Sequence, residues 1–95
     1  MYLTIRCDTV PGHEKELDRY LVEKAKPFWS SQPGVRAFRV FADALVGWPE
    51  RTILIEMENL SDLEHIIRTE EAKRLRSEFM TYTTNVQSQI LDEII

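Results

Sequence analysis

The chain has 95 residues, 12 basic and 16 acidic side chains and a formal net charge of −4. That length suits one domain spanning 1–95, and Lys and Arg interleaved with Asp and Glu exclude an ordinary nucleic-acid binder, which gathers its positive charge. A 43% hydrophobic and 29% charged composition excludes intrinsic disorder, and no apolar run approaches the ~20 residues of a membrane helix.

The single cysteine, Cys7, has no internal disulfide partner. No Cys/His spacing resembles a metal site. The stretch Met1–Arg6 lacks the basic and apolar regions of a secretory leader, so a reducing cytoplasm is the expected location. A domain of this size buries only roughly 60–65% of its unfolded surface, which makes cover from a partner valuable.

Tyr2 to Val10 reads as a first strand, with Leu3, Ile5 and Cys7 on one face and Thr4, Arg6 and Asp8 on the other. Pro11-Gly12 ends it and opens a helix. Glu14 and Glu16 lie in the first turn, where the dipole favours carboxylates. Leu17, Tyr20, Leu21 and Ala25 form the apolar stripe. Pro27 is expected to end or kink this helix near Lys26, leaving Phe28 and Trp29 in a short turn or a separate helical turn.

Pro33-Gly34 starts a second strand, Val35 to Phe41, whose strict alternation puts Val35, Ala37 and Phe41 on one face and Phe38 and Val40 on the other. A connection over Ala42 to Glu50 leads to a third strand, Arg51 to Glu58, with Ile53, Ile55 and Met57 opposite Leu54, Glu56 and Glu58. Ser61 with Glu64 has the spacing of a capping box ahead of Leu63, Ile66 and Ile67. Thr69 followed by Glu70 and Glu71 is a second helix start, leading Ala72, Leu75, Phe79 and Tyr82, so a break near Arg68-Thr69 is expected. A last strand over about Asn85 to Ile94 aligns Val86, Ile90 and Ile94, with Leu91 and Ile95 on its other face.

The order β-α-β-β-α-β predicts an α+β, ferredoxin-like fold: a four-stranded antiparallel sheet with helices on one face. On this reading Phe38, Val40, Leu54 and Leu91 stand opposite the main apolar rows. Leaving a Leu or Phe wet forgoes roughly 1.5–3 kcal/mol each. The natural cover is the sheet of an identical chain, which predicts a homodimer packed sheet to sheet.

Three segments carry a family likeness: Val10-Pro11-Gly12-His13-Glu14, Pro33-Gly34-Val35, and the run from Ile53 through Glu58 to Asn59-Leu60-Ser61-Asp62-Leu63. With them the chain resembles, over essentially its whole length, the dimeric α/β-barrel superfamily, and within it the antibiotic biosynthesis monooxygenase-like group. The resemblance implies a barrel formed by two sheets at a dimer interface and a small pocket between each sheet and its own helices. Ile5, Cys7, Ile55 and Met57 from the strands would line that pocket, with Trp29, Ile66 and Phe79 from the helices and their connections. It also implies oxidation of a small aromatic or quinol with no metal or flavin cofactor. Heme-degrading members carry an Asn, a Trp and an axial His where this chain has Ile5, Ile66 and about Arg76. Arginine cannot act as a neutral imidazole ligand to iron, so the resemblance points away from heme chemistry.

Few polar residues suit catalysis. Cys7 falls on an apolar row, where a thiol is more often a small buried hydrophobe than a nucleophile. His65 stands beside the Leu63/Ile66/Ile67 stripe as a general-base candidate with no visible orienting carboxylate. Tyr82 is a hydrogen-bond donor to a phenol or quinol oxygen, or a core residue with its hydroxyl in water. His13 reads as exposed and inert. Trp29 and Trp48 sit in connections, suiting a partner surface or a ligand. Arg6, Asp8, Glu56 and Glu58 read as an ion-pair lattice inside the dimer barrel rather than an acid/base pair. Arg74 and Arg76, flanked by Glu70, Glu71 and Glu78, read as a solvated helix face. Two further functions share the fold: a non-catalytic homodimer that binds a small metabolite or serves as a stress or structural protein stabilising a partner, and a ligand-sensing module.

Overall fold

The computed structural model describes residues 1–45 and 47–95. Strand β1 (Tyr2–Thr9) leads to α1 (Glu14–Tyr20), a π-helical turn over Leu21–Ala25 and α2 (Lys26–Ser30). Then follow β2 (Val35–Ala42), β3 (Arg51–Met57), α3 (Leu60–Ile67), α4 (Glu70–Tyr82) and β4 (Thr83–Leu91). The strands form one antiparallel sheet in the order β2-β3-β1-β4. Each β-α-β half leaves a slot that a strand of the other half fills, which is the split arrangement of a ferredoxin-like fold. The shortest dimension, 18 Å, accommodates one sheet and one helical layer.

The core lies between these layers. Leu3, Cys7, Ile53, Ile55 and Met57 rise from β1 and β3. They meet Leu17, Tyr20, Leu21 and Ala25 of the first helical segment and Leu63, Ile66 and Phe79 of the second. The Tyr20 hydroxyl donates to the Leu75 carbonyl at 2.7 Å, tying α1 to α4. Arg51 grips Asp18 with two hydrogen bonds of 3.0 and 3.1 Å, tying β3 to α1. Among the described residues no helix is long and apolar enough to cross a membrane.

Four local expectations change. Pro27 does not end its helix. In a regular helix its ring would meet the carbonyl four residues back. The π turn just before it shifts the register, the Lys26 amide bonding to Leu21 five residues earlier, and the chain stays helical to Ser30. The cap of α3 is Asn59 rather than Ser61: its Oδ1 accepts from the Asp62 amide at 3.0 Å and from the Ser61 hydroxyl at 2.7 Å. Thr69 does cap α4, accepting from the Ala72 amide at 3.2 Å. β4 runs from Thr83 to Leu91, leaving Ile94 and Ile95 exposed beyond it. Of the Ala42–Glu50 connection, Val46 lies outside the described residues.

The fourth change bears on the site. In β2, Val35 pairs with Met57, yet Ala37 pairs with Glu56, so Arg36 is an extra residue on β2. Such a bulge flips every side chain beyond it to the other face. Phe38 and Val40 therefore stand opposite Ile55 and Ile53 on the helix side, while Ala37, Arg39 and Phe41 join the open face. Of the four apolar residues expected on that open face, Leu54 and Leu91 are there, and Phe41 replaces Phe38 and Val40. A second bulge lies on β4 opposite Cys7, where Asn85 takes a positive φ of 53° and donates to Asp8 at 3.0 Å. Asn tolerates that backbone region better than most residues.

Candidate functional site

Between sheet and helices the core gives way to a cavity of about 650 Å³, inside the roughly 300–1,000 Å³ span of small-molecule sites. Its floor is Ile5, Ile53, Ile55 and Phe38, with Val86 and Ser88 from β4. Phe38 is there only because of the Arg36 bulge. One wall is Leu21, Ala25, Phe28 and Trp29, the last two packed edge to face with centroids 5.6 Å apart. The roof is Leu63 of α3 with Ala72, Leu75 and Phe79 of α4. Exposed Ile67, Lys73, Arg76 and Met80 form the mouth.

The lining is almost wholly apolar. Its hydrogen-bonding side chains among the described residues are Tyr20, Trp29, Ser88, Lys73 and Arg76, with no Asp, Glu or His. The Tyr20 hydroxyl is committed to Leu75, and burial pushes its pKa further above the ordinary phenol value, so it stays protonated and acts as a donor. Among the described residues no three His, Cys, Asp or Glu side chains converge as a metal site. Such a lining can receive an apolar body, and its exposed end carries the positive charge of Lys73 and Arg76.

The residues singled out in the sequence fall in three places. Ile5, Trp29, Ile55 and Phe79 line the cavity. Cys7, Met57 and Ile66 do not; they are buried in the packed core beside it. Burial first, and then the Asp8 carboxylate, push the Cys7 thiol up to about 11, so it is neutral and unreactive at physiological pH. His65 and Tyr82 stand outside the cavity. His65 is exposed on α3. Tyr82 donates to Glu78 at 3.1 Å, with its ring 6.2 Å from His13 and 6.1 Å from Tyr20. The hydrogen bond to Glu78 is also what raises its pKa most.

Sequence reasoning missed Phe38, hidden by the bulge, and the cations at the mouth. Arg76 reads as solvated because acidic residues surround it in sequence. On the helix, however, Ala72, Arg76 and Phe79 follow i, i+4, i+7 spacing and share the cavity face. Helical spacing, rather than sequence proximity, was the usable signal.

The open face of the sheet is a second surface. Leu54 sits mid-sheet between Thr4 and Arg39, with Phe41 and Leu91 toward opposite edges. Phe41 is 51% and Leu91 43% exposed. Arg6 hydrogen-bonds Gln89 at 2.7 Å and lies 5.8 Å from the Trp48 ring centroid. Arg36 and Glu58 pair at 3.3 Å, and within the single chain no two of Arg6, Asp8, Glu56 and Glu58 pair with each other among the described residues. Arg6 takes Gln89 and Asp8 takes Asn85 instead.

No family model matches the chain. No curated protein matches it either. Solved structures do. SnoaB, a cofactor-independent oxygenase from Streptomyces nogalater, superposes with a TM-score of 0.84 at 10% identity, over 99% of this chain and 93% of that one. A candidate antibiotic biosynthesis monooxygenase from Bacteroides thetaiotaomicron gives 0.80 at 20% identity, over 100% and 90%. Another from Nitrosomonas europaea gives 0.80 at 14%, over the full length of both chains. At these identities the likeness is one of fold. The chain has the α+β, ferredoxin-like architecture seen in those antibiotic biosynthesis monooxygenase-like structures, as the sequence resemblance implies.

Proposed function

We propose that this chain takes a small aromatic or quinol into the cavity between its sheet and helices and oxidises it with dioxygen, without metal or flavin. The observation that carries the reading is the apolar cavity of about 650 Å³, open at one end. Its shared architecture with a cofactor-independent oxygenase adds support. For an anthrone, the ring methylene becomes a carbonyl: one oxygen atom enters the carbon, the other leaves as water, and the substrate supplies all four electrons. The electron-rich enolate of the substrate reduces dioxygen. The chain's part is to orient that ring and keep water away while the reaction runs.

The test is oxygen uptake by the pure protein with a panel of anthrones and quinols. Uptake above the uncatalysed rate with at least one of them is expected; none across the panel refutes the reading. One observation favours a second reading, binding without turnover: among the described residues none of the lining is an Asp, Glu or His able to take the substrate's proton. A ligand that raises the melting temperature and is recovered unchanged separates the two.

The working unit in this reading is a homodimer joined through the open sheet face. Leu54, Phe41 and Leu91 on that face gain by being covered. A second copy presents the same three residues about a two-fold axis.

A further inference from the structure

We infer that the ligand of the cavity is an acid: a mainly apolar molecule whose carboxylate, or an equivalent anion, sits at the mouth between Lys73 and Arg76. This rests on the cavity being a ligand site. It adds the chemical class that the mouth selects.

The chain as a whole is acidic, with 16 carboxylates against 12 bases. Yet both charged residues on the cavity lining are cations. They stand at i and i+3 on α4, on one face and about one turn apart. Two like charges at that spacing repel mildly, and an anion between them removes the repulsion.

Their partners point the same way. Lys24, Arg36 and Arg51 each hold a carboxylate, at 2.8, 3.3 and 3.0 Å, whereas Arg6, Lys15, Arg19, Lys26, Arg39, Arg68 and Arg74 hold none within 4.0 Å among the described residues. What sets Arg76 apart from these is its place on the cavity lining. Arg76 has no carboxylate within 4.0 Å among the described residues. Its helical neighbours three and four positions away are Ala72, Lys73, Phe79 and Met80, so its own helix offers it none. Lys73 has only Glu70, at 3.6 Å, a long and solvent-exposed contact that yields readily to a better anion. A planar guanidinium suits two parallel hydrogen bonds to a carboxylate. Ser88 adds a hydroxyl from the facing strand. Inside the mouth the described lining is hydrocarbon or aromatic apart from the committed Tyr20 hydroxyl, the Trp29 indole N–H and the Ser88 hydroxyl. The site is therefore amphipathic: an apolar body goes in and an anionic end stays out.

The experiment compares anthracene-2-carboxylate with anthracene-2-carboxamide, of nearly equal shape, by their own fluorescence on titration with the full chain. Wild type is expected to bind the acid about tenfold tighter than the amide, the scale of a charge-assisted hydrogen bond at a partly wet site. Arg76→Gln is expected to erase that preference, leaving the amide affinity within about twofold, and Lys73→Gln to reduce it. Raising salt from about 50 to 500 mM should weaken the acid and spare the amide. Equal binding of acid and amide by wild type overturns the inference and leaves the cavity reading standing. Equal loss of both probes in Arg76→Gln also overturns it, since the residue would then only shape the mouth. Failure of both probes to bind removes the cavity reading and the inference with it. The wild-type comparison needs no variant, so a misfolded mutant cannot shelter the claim.

Discussion

Gly12 and Gly34 offer a controlled measurement of how α3 is held over the sheet. Both have positive φ, 87° and 82°, so replacing either with Ala carries a similar backbone cost. An L-residue in that region is disfavoured by roughly 1–2 kcal/mol, and the stiffer unfolded chain of Ala returns about 0.4–1 kcal/mol. Gly12→Ala, where an added Cβ meets nothing within 4 Å, should therefore lose about 1 kcal/mol. At Gly34 the added Cβ overlaps the Asp62 carboxylate, lying 2.8 Å from its Cγ and 3.2 Å from its Cβ. Asp62 belongs to the first turn of α3, so its side chain must leave its rotamer or the helix must shift. Adding an off-rotamer cost of about 1 kcal/mol brings Gly34→Ala to roughly 2 kcal/mol. For a domain of this size each kcal/mol moves the melting temperature by about 4–8 °C.

Urea and thermal unfolding of both variants, and of Gly34→Ala with Asp62→Ala, form the assay. The double variant should recover most of the extra loss, since the carboxylate overlap goes and only the tight Cβ contact at 3.2 Å stays, leaving little more than the backbone cost beyond that of Asp62→Ala alone. Equal losses at the two glycines, or no recovery on removing Asp62, would refute the reasoning. Because α3 carries Leu63 and Ile67 to the cavity, Gly34→Ala should also weaken binding of an anthracene probe, whereas Gly12→Ala should leave it unchanged.

Three further outcomes are expected. Folding raises the Cys7 thiol from an ordinary 9.0 to about 11, so above pH 9 the unfolded chain sheds a proton that the folded chain keeps. Stability should fall as pH rises from 9 to 11, and urea titrations of Cys7→Ala should lack the part of that slope below pH 10; an unchanged slope refutes the assignment. Ala72→Phe, on the cavity roof, should fill the space and lower probe affinity more than about tenfold with the fold intact by circular dichroism. Leu54→Arg, mid-face on the open sheet, should turn a sedimenting dimer into a folded monomer, because it puts two desolvated cations into the proposed interface. A folded wild-type monomer at micromolar concentration removes that interface.

What was legible in the sequence follows a physical line. Alternation along β1 and β3 placed Leu3, Cys7, Ile53, Ile55 and Met57 in the core correctly, because side-chain direction in an unbroken strand is set by the backbone alone. Thr69, and the break before it, were readable from capping chemistry within one turn. The order of elements was enough for a ferredoxin-like sheet, since few topologies connect β-α-β-β-α-β without a crossing or a left-handed crossover.

The site itself was decided in three dimensions. One unpaired residue, Arg36, exchanged Phe38 and Val40 for Phe41 between the faces of β2, and that register depends on pairing with β3. The π turn kept Phe28 and Trp29 on a continuous helix, where they reach the cavity wall. Whether Arg76 meets water or a cavity depends on how far α4 stands from β4, a distance no local pattern encodes. Periodicity is a property of one segment, whereas a bulge, a void and the charge at its mouth are properties of segments packed together.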